Sequence, residues 1–171
     1  MTRTILLLAA GLALTLTATI GPARAQSAAD SLAVLCPGRG HLAPLFQAAA
    51  ERYRIRPVVL VAMARAESTC DPTAVNRRTG AAGLLQVLPS GSANPDGLSQ
   101  AELLAPETSI ELGARHLRRW TLACGSLAGG LSIFHGRTHC RDHRGDRYVA
   151  RVLGLVGWAK RQLAKLQARR A

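Results

Sequence analysis

Apolar residues recur along this chain with a helical period, and the runs are punctuated by proline where a helix can start and by glycine where one can stop. A first helix is expected from about Pro44 to Arg54. A second is expected from Pro57, whose fixed φ and missing N–H suit a first helical position, to Glu67 or Ser68. Residues 71–80 are rich in turn formers, Gly83 to Leu88 is a short apolar piece closed by Pro89, and residues 90–98 read as loop. Ser99-x-x-Glu102 and Thr108-x-x-Glu111 have the form of capping boxes, the second opening a helix that carries Ile110, Leu112, Ala114, Leu117 and Trp120. A short helix from Leu127 to His135 stops at Gly136. Asp146 then caps a final helix with Val149, Val152, Leu153, Val156, Ala159, Leu163 and Leu166 on one face. The expected fold class is mainly α, a single helical domain.

The first 25 residues stand apart. Arg3 precedes a largely apolar stretch from Ile5 to Ile20, followed by the small-residue site Ala23-Arg24-Ala25, the pattern of a cleavable secretory signal; an uncleaved anchor is the competing reading. Residues 26–40 read as an N-terminal extension, 41–168 as the domain and 169–171 as a basic tail. After cleavage no stretch is apolar enough to be an integral membrane segment. A periplasmic or secreted location then makes Cys36, Cys70, Cys124 and Cys140 an even set in an oxidising compartment, so two disulfides are expected. Three pairings are possible; the favoured one is Cys36 with Cys70 and Cys124 with Cys140, the latter closing a short loop.

The 171 residues hold 22 Lys or Arg against 10 Asp or Glu, a formal charge of +12. Nucleic acid, anionic membrane or an anionic envelope polymer would each suit that charge. The arginines are scattered, with only a few aromatics for base stacking, which argues against nucleic acid. The basic final helix carries Gly154 and Gly157, which weaken it as a free membrane-surface helix.

Glu67 is the most informative residue. Leu60, Met63, Ala64 and Glu67 fall at i, i+3, i+4 and i+7, so a carboxylate completes an apolar stripe at a helix C-terminus. Burial and the negative end of the helix dipole both disfavour its ionised form and raise its pKa, as a general acid requires. Taken alone, a partly exposed Glu paired with an arginine explains it equally well.

The surroundings of Glu67 carry more. Glu67-Ser68, then Asp71-Pro72-Thr73-Ala74-Val75, then Gly80-Ala81-Ala82-Gly83-Leu84-Leu85-Gln86 run in order, followed by Ser109-Ile110-Glu111-Leu112-Gly113 and Tyr148-Val149-Ala150-Arg151-Val152-Leu153. This ordered set, over roughly residues 55–155, resembles the soluble lytic transglycosylase family. The resemblance implies a lysozyme-like α domain that cleaves the bond between N-acetylmuramic acid and N-acetylglucosamine in peptidoglycan, with no cofactor. It implies Glu67 as the single catalytic acid and base, forming a 1,6-anhydro sugar in place of hydrolysis. Ordinary glycosidases need two carboxylates. No second acidic residue sits in an equally convincing motif: Asp71 is a turn residue beside Pro72, and Glu107 and Glu111 suit helix starts.

By the same resemblance, Ser68 helps fix the acid's geometry, against a helix-terminal hydroxyl that merely bonds backbone, and Gln86 hydrogen-bonds an N-acetyl group or the intermediate, against an exposed loop amide. Asn76 lies where many members carry Ser or Asn, though a turn asparagine explains it nearly as well. Tyr148 either lines the cleft or packs at the start of the last helix. The family's Ala-Tyr-Asn-Ala-Gly segment reads here Ser132-Ile133-Phe134-His135-Gly136, so Phe134 lacks the tyrosine hydroxyl and His135 stands in the asparagine's place. These departures keep two alternatives open, a catalytically silent peptidoglycan-binding or assembly protein on the same fold, and a lysozyme-type hydrolase. His135, His139, Cys140 and His143 have loose zinc-site spacing, but a disulfide is the better use of an exported cysteine and Gly136 interrupts the helix, so no metal is expected. The expected partner is the glycan strand of peptidoglycan, met by a monomer. Wall turnover and opening of the wall for a secretion or conjugation machine both fit such an enzyme.

Overall fold

The helix α3 (Pro57–Glu67) is the hub of the structure, because Val58 to Ala64 are apolar without interruption and a helix apolar all round must be surrounded. All seven of those residues are buried, Leu60 to Ala64 completely. The stripe read at Leu60, Met63 and Ala64 is thus part of a run, Val58 to Ala64, that is enclosed on every side. The computed structural model describes residues 22–169, and the signal-like stretch Ile5–Ile20 lies outside them, as do Arg170 and Ala171 of the basic tail.

Around α3 pack α1 (Pro22–Leu35), α2 (Ala43–Tyr53) and α7 (Arg147–Ala168); α5 (Pro106–Ala123) lies behind α2 with the one-turn α4 (Gln100–Leu103) at its start, and α6 (Leu127–Phe134) packs between α5 and α7. The main core joins Phe46, Leu60, Met63, Ile110, Leu117, Leu131 and Val152. A smaller core of Ala82, Val87, Leu103 and Leu112 sits under the loop between α3 and α5. No strands occur among the described residues; two isolated bridges, Val75 with Ala82 and Ala82 with Val87, are the whole of the extended pairing.

Most expected boundaries match within a residue or two. Ser99 and Glu102 form a capping box at α4, and the Asp146 carboxylate accepts the Tyr148 amide at 2.8 Å to cap α7. Two expectations are corrected. Residues 26–40 are not a mere extension, since Ala28, Leu32 and Leu35 of α1 are buried in the main core against α3 and α7. The helix α5 starts at Pro106, with Ala105 as an uncapped N-cap, so Thr108 is interior and no capping box forms there; proline at the first position sets the start.

Both favoured disulfides are present. Cys36–Cys70 ties the end of α1 to the turn after α3, with Cα atoms 5.8 Å apart, and Cys124–Cys140 ties the end of α5 to the loop before α7, at 5.3 Å.

Candidate active site

Glu67 is the last residue of α3, and the chain turns sharply behind it. Ser68 caps the helix, and Thr69 and Cys70 follow with φ of 58° and 66°, the left-handed region that non-glycine residues rarely occupy. Three ties hold that turn: the Cys70 amide donates to the Ala64 carbonyl at 3.1 Å, the Cys36 disulfide grips its side chain, and the Ser68 hydroxyl lies 3.1 Å from the Ala64 carbonyl and 2.9 Å from the Leu84 carbonyl. Asp71 closes the next turn by accepting the Thr73 amide and hydroxyl.

The Leu84 carbonyl belongs to the second element of the site, a tight loop over residues 74–87. The Ala82 and Val87 amides and carbonyls bond reciprocally, and the Gly83 amide donates to Ala74. Gly83 has φ of 76°, and a Cβ there would lie 2.3 Å from the Leu103 carbonyl oxygen and 2.7 Å from Ser109 Oγ, so the backbone approach requires glycine. Ser109 Oγ accepts the Leu85 amide at 3.0 Å, and Gly113 leaves room for the Leu85 side chain. The Glu-Ser pair, the glycine loop and the start of α5 are therefore one clamped unit. Gly83→Ala combines left-handed strain with a backbone clash and is expected to lose about 3 kcal/mol or more in urea unfolding.

Gln86, half-buried with φ of 47°, turns its amide nitrogen back into this loop, donating to Ala74 and Gly83 carbonyls at 3.0 Å each. Its carboxamide oxygen remains as the acceptor it offers. Asn76 is exposed, and its Oδ1 accepts the Arg78 and Thr79 amides, so it closes a turn.

The third wall comes from α6 and α7. Tyr148 is buried, and its hydroxyl lies close enough to Glu67 to act on its titration without closing a hydrogen bond of standard geometry. His135, exposed at the end of α6, stacks on the Tyr148 ring with centroids 4.3 Å apart and planes 1° from parallel. Phe134 is half-buried and meets buried His116 of α5 edge-on at 5.7 Å. The histidines and cysteine weighed as metal ligands have other uses: Cys140 is in a disulfide, His143 Nδ1 lies 2.8 Å from the Cys140 carbonyl, and His139 Nδ1 lies 2.9 Å from the Thr138 hydroxyl.

Burial raises the Glu67 pKa from 4.5 to about 7, against the lowering influence first of the Tyr148 hydroxyl and then of the Arg151 charge. Arg151 was not singled out from sequence, although it stands three residues after Tyr148 on α7 and so on the same face. The group can give and take a proton near neutrality. Other carboxylates are engaged elsewhere: Glu111 accepts from the Tyr53 hydroxyl and from Arg52, and Asp146 pairs with Arg137 at 3.0 Å.

This arrangement of a helix-end acid, a glycine loop and a serine-clamped α5 coincides with a match to the family model of the transglycosylase SLT domain over residues 44–132, just over half of the chain. The chain belongs to that family. No curated protein gives a significant match. The SLT domain is of lytic transglycosylase type and lysozyme-like in fold, which agrees with the helical architecture described above. The match covers Glu67, Ser68, Asn76 and Gln86 and ends at Ser132. Phe134, His135, Tyr148 and Arg151 lie beyond it.

Proposed function

We propose that this SLT-domain protein is a peptidoglycan lytic transglycosylase that cleaves the bond from N-acetylmuramic acid to N-acetylglucosamine, with Glu67 as its one acid and base. The observation that carries the reading is the carboxyl group of Glu67, shielded at the end of α3, where burial pushes its pKa up to about 7. Protonated Glu67 gives its proton to the glycosidic oxygen as the bond from the muramoyl C1 to that oxygen breaks. The resulting carboxylate takes the proton of the muramoyl 6-hydroxyl as O6 bonds to C1, so the anhydro sugar forms, no water is consumed and Glu67 regains its proton. One carboxyl suffices because the nucleophile is already attached to the substrate.

Ser68 and the loop at Leu84 hold the acid's turn, Gln86 offers an amide oxygen toward an N-acetyl N–H, and Tyr148 under His135 forms the wall that excludes water. Two disulfides suit the periplasm or cell exterior, where the substrate lies. The alternative, a silent binding domain, draws on Phe134, which has no hydroxyl where related proteins carry tyrosine.

The deciding experiment digests purified sacculi with oxidised mature protein and with Glu67→Gln, and identifies released sugars by mass spectrometry. Anhydro-muropeptides are expected from the wild type, with a loss of about 10³-fold or more in the variant. Reducing muramic-acid ends would make the protein a hydrolase, and intact sacculi that bind both proteins would make it a binding domain.

A further inference from the structure

The core takes one face of α7 only as far as Ala159, and from Ala164 to Arg169 every residue is exposed. Trp158 and Leu166 are 42% and 41% exposed, large apolar groups left outside the core. Spacings of three and four residues set Arg161, Lys165 and Arg169 in one row after Trp158, about 16 Å long, and Leu166 stands one turn before Arg169. None of these cations enters an ion pair among the described residues, and α7 contains no acidic residue. Beside Trp158 the surface continues as a groove of about 270 Å³ walled by Val34, Leu35, Pro37 and Leu155, with Arg65 as its one charged lining residue. Asp30, one turn before Val34, is the one acidic residue of α1, so cations dominate this side of the molecule.

In the sequence, Gly154 and Gly157 argue against a membrane-surface helix because they weaken a helix that has to form on its own. The structure removes that objection. Tyr148, Val149, Val152, Val156 and Ala159 hold α7 in the core, so tertiary packing supplies the helix and the exposed row is presented ready-formed.

We infer that the outer face of α7 from Trp158 to Arg169 docks on an anionic phospholipid surface, with the Trp158 indole at headgroup depth and Arg161, Lys165 and Arg169 on the phosphates. The mixed chemistry of the face selects this occupant. An indole beside cations suits the boundary of a bilayer, where one end of the ring meets apolar matter and the other meets water. Each cation brought to such a surface strengthens attachment about fivefold. A hydrated polyanion would pair the cations and leave Trp158 and Leu166 in water. A protein partner would have to carry a matching row of acids, whereas a bilayer offers phosphate at any register. The docking goes beyond the proposed function and is independent of it, since it concerns where the domain is held and not which bond it cleaves.

The test mixes mature oxidised protein with vesicles of phosphatidylcholine alone, or with an equal part of phosphatidylglycerol, at about 0.15 M salt, and reads sedimentation and tryptophan fluorescence. Binding to the anionic vesicles is expected to be about tenfold or more tighter, with a blue shift that Trp158→Phe abolishes although Trp120 remains. Arg161→Gln combined with Lys165→Gln should weaken binding about tenfold or more, and Trp158→Ala about threefold or more. Arg141→Gln combined with Arg144→Gln takes the same charge from the exposed loop before α7 and should weaken it less than about threefold. All these side chains are exposed, so the fold is expected to persist in every variant. Equal weakening by the two arginine-containing pairs would mean that total charge alone attracts the protein, and would overturn the docking face. A blue shift that survives Trp158→Phe, an absence of binding to the anionic vesicles, or tighter binding to polyglutamate than to vesicles would overturn it too.

Discussion

Glu67→Gln is expected to stabilise the fold at about pH 8 and to leave it unchanged at about pH 4, while it removes catalysis at both. The native carboxyl holds its proton up to about 7, whereas the reference value for the unfolded chain is 4.5. Below 4.5 both states are protonated and the group contributes nothing to stability. As pH rises from 4.5 towards 7 the unfolded state releases its proton first, so unfolding becomes easier, by about 3 kcal/mol once both states are ionised. Glutamine has no charge to bury, and after allowing for its own amide about 1–3 kcal/mol should return. Melting temperature is the readout, with a rise of about 3 °C or more at pH 8 and under about 1 °C at pH 4. An equal shift at both pH values would mean that the ionisation of Glu67 is not what destabilises the native state.

The rate follows the same proton. Cleavage begins with protonated Glu67, so kcat/KM should fall tenfold per pH unit above about 7 and level off below it. Replacing Tyr148 by Phe removes the first of the two influences that hold the pKa down. The falling limb should then move to higher pH, which a purely structural role of Tyr148 would not produce.

What could be read from the residues alone divides by the range of the forces involved. The limits of α3 were legible because Pro57 starts it and a turn-rich stretch opens at Asp71-Pro72 soon after its end, both local effects. The cap at Asp146 was legible for the same reason. The pairing of Cys124 with Cys140 followed from a short loop. By contrast α1 was read as an extension, since its few large apolar residues are spread among alanines and show their purpose only against α3 and α7. Gln86 was expected to hydrogen-bond an N-acetyl group or the intermediate; that its amide nitrogen is held by the Gly83 and Ala74 carbonyls shows only once the loop closes. Tyr148 and Arg151 act on Glu67 from more than 80 positions away in sequence, a proximity made by packing of α7 on α3. The stack of His135 on Tyr148 needs the relative placement of α6 and α7, which no period reveals.

Removing the Cys36–Cys70 disulfide by paired serine substitution is expected to cost about 4 kcal/mol and to lower activity, whereas removing Cys124–Cys140 should cost about 3 kcal/mol and spare much of the activity. The difference in stability is small because loop entropy grows only with the logarithm of length, and the bridges span 34 and 16 residues. The difference in activity follows from location. Cys70 is three residues past Glu67, at a φ of 66° that a free chain would relax, and its bridge anchors that turn to buried α1. Freed from it, the acid can drift from the loop at Leu84, and a displacement on the ångström scale is enough to cost about 10-fold or more in kcat/KM. The other bridge joins the end of α5 to the loop before α7, where Asp146 with Arg137 and the Tyr148 amide already fixes the chain. Urea unfolding gives the stability of each variant, and anhydro-sugar release at a temperature where both stay folded gives the rates. Equal activity losses would mean that the bridge at Cys70 supports the fold as a whole and has no particular hold on the acid.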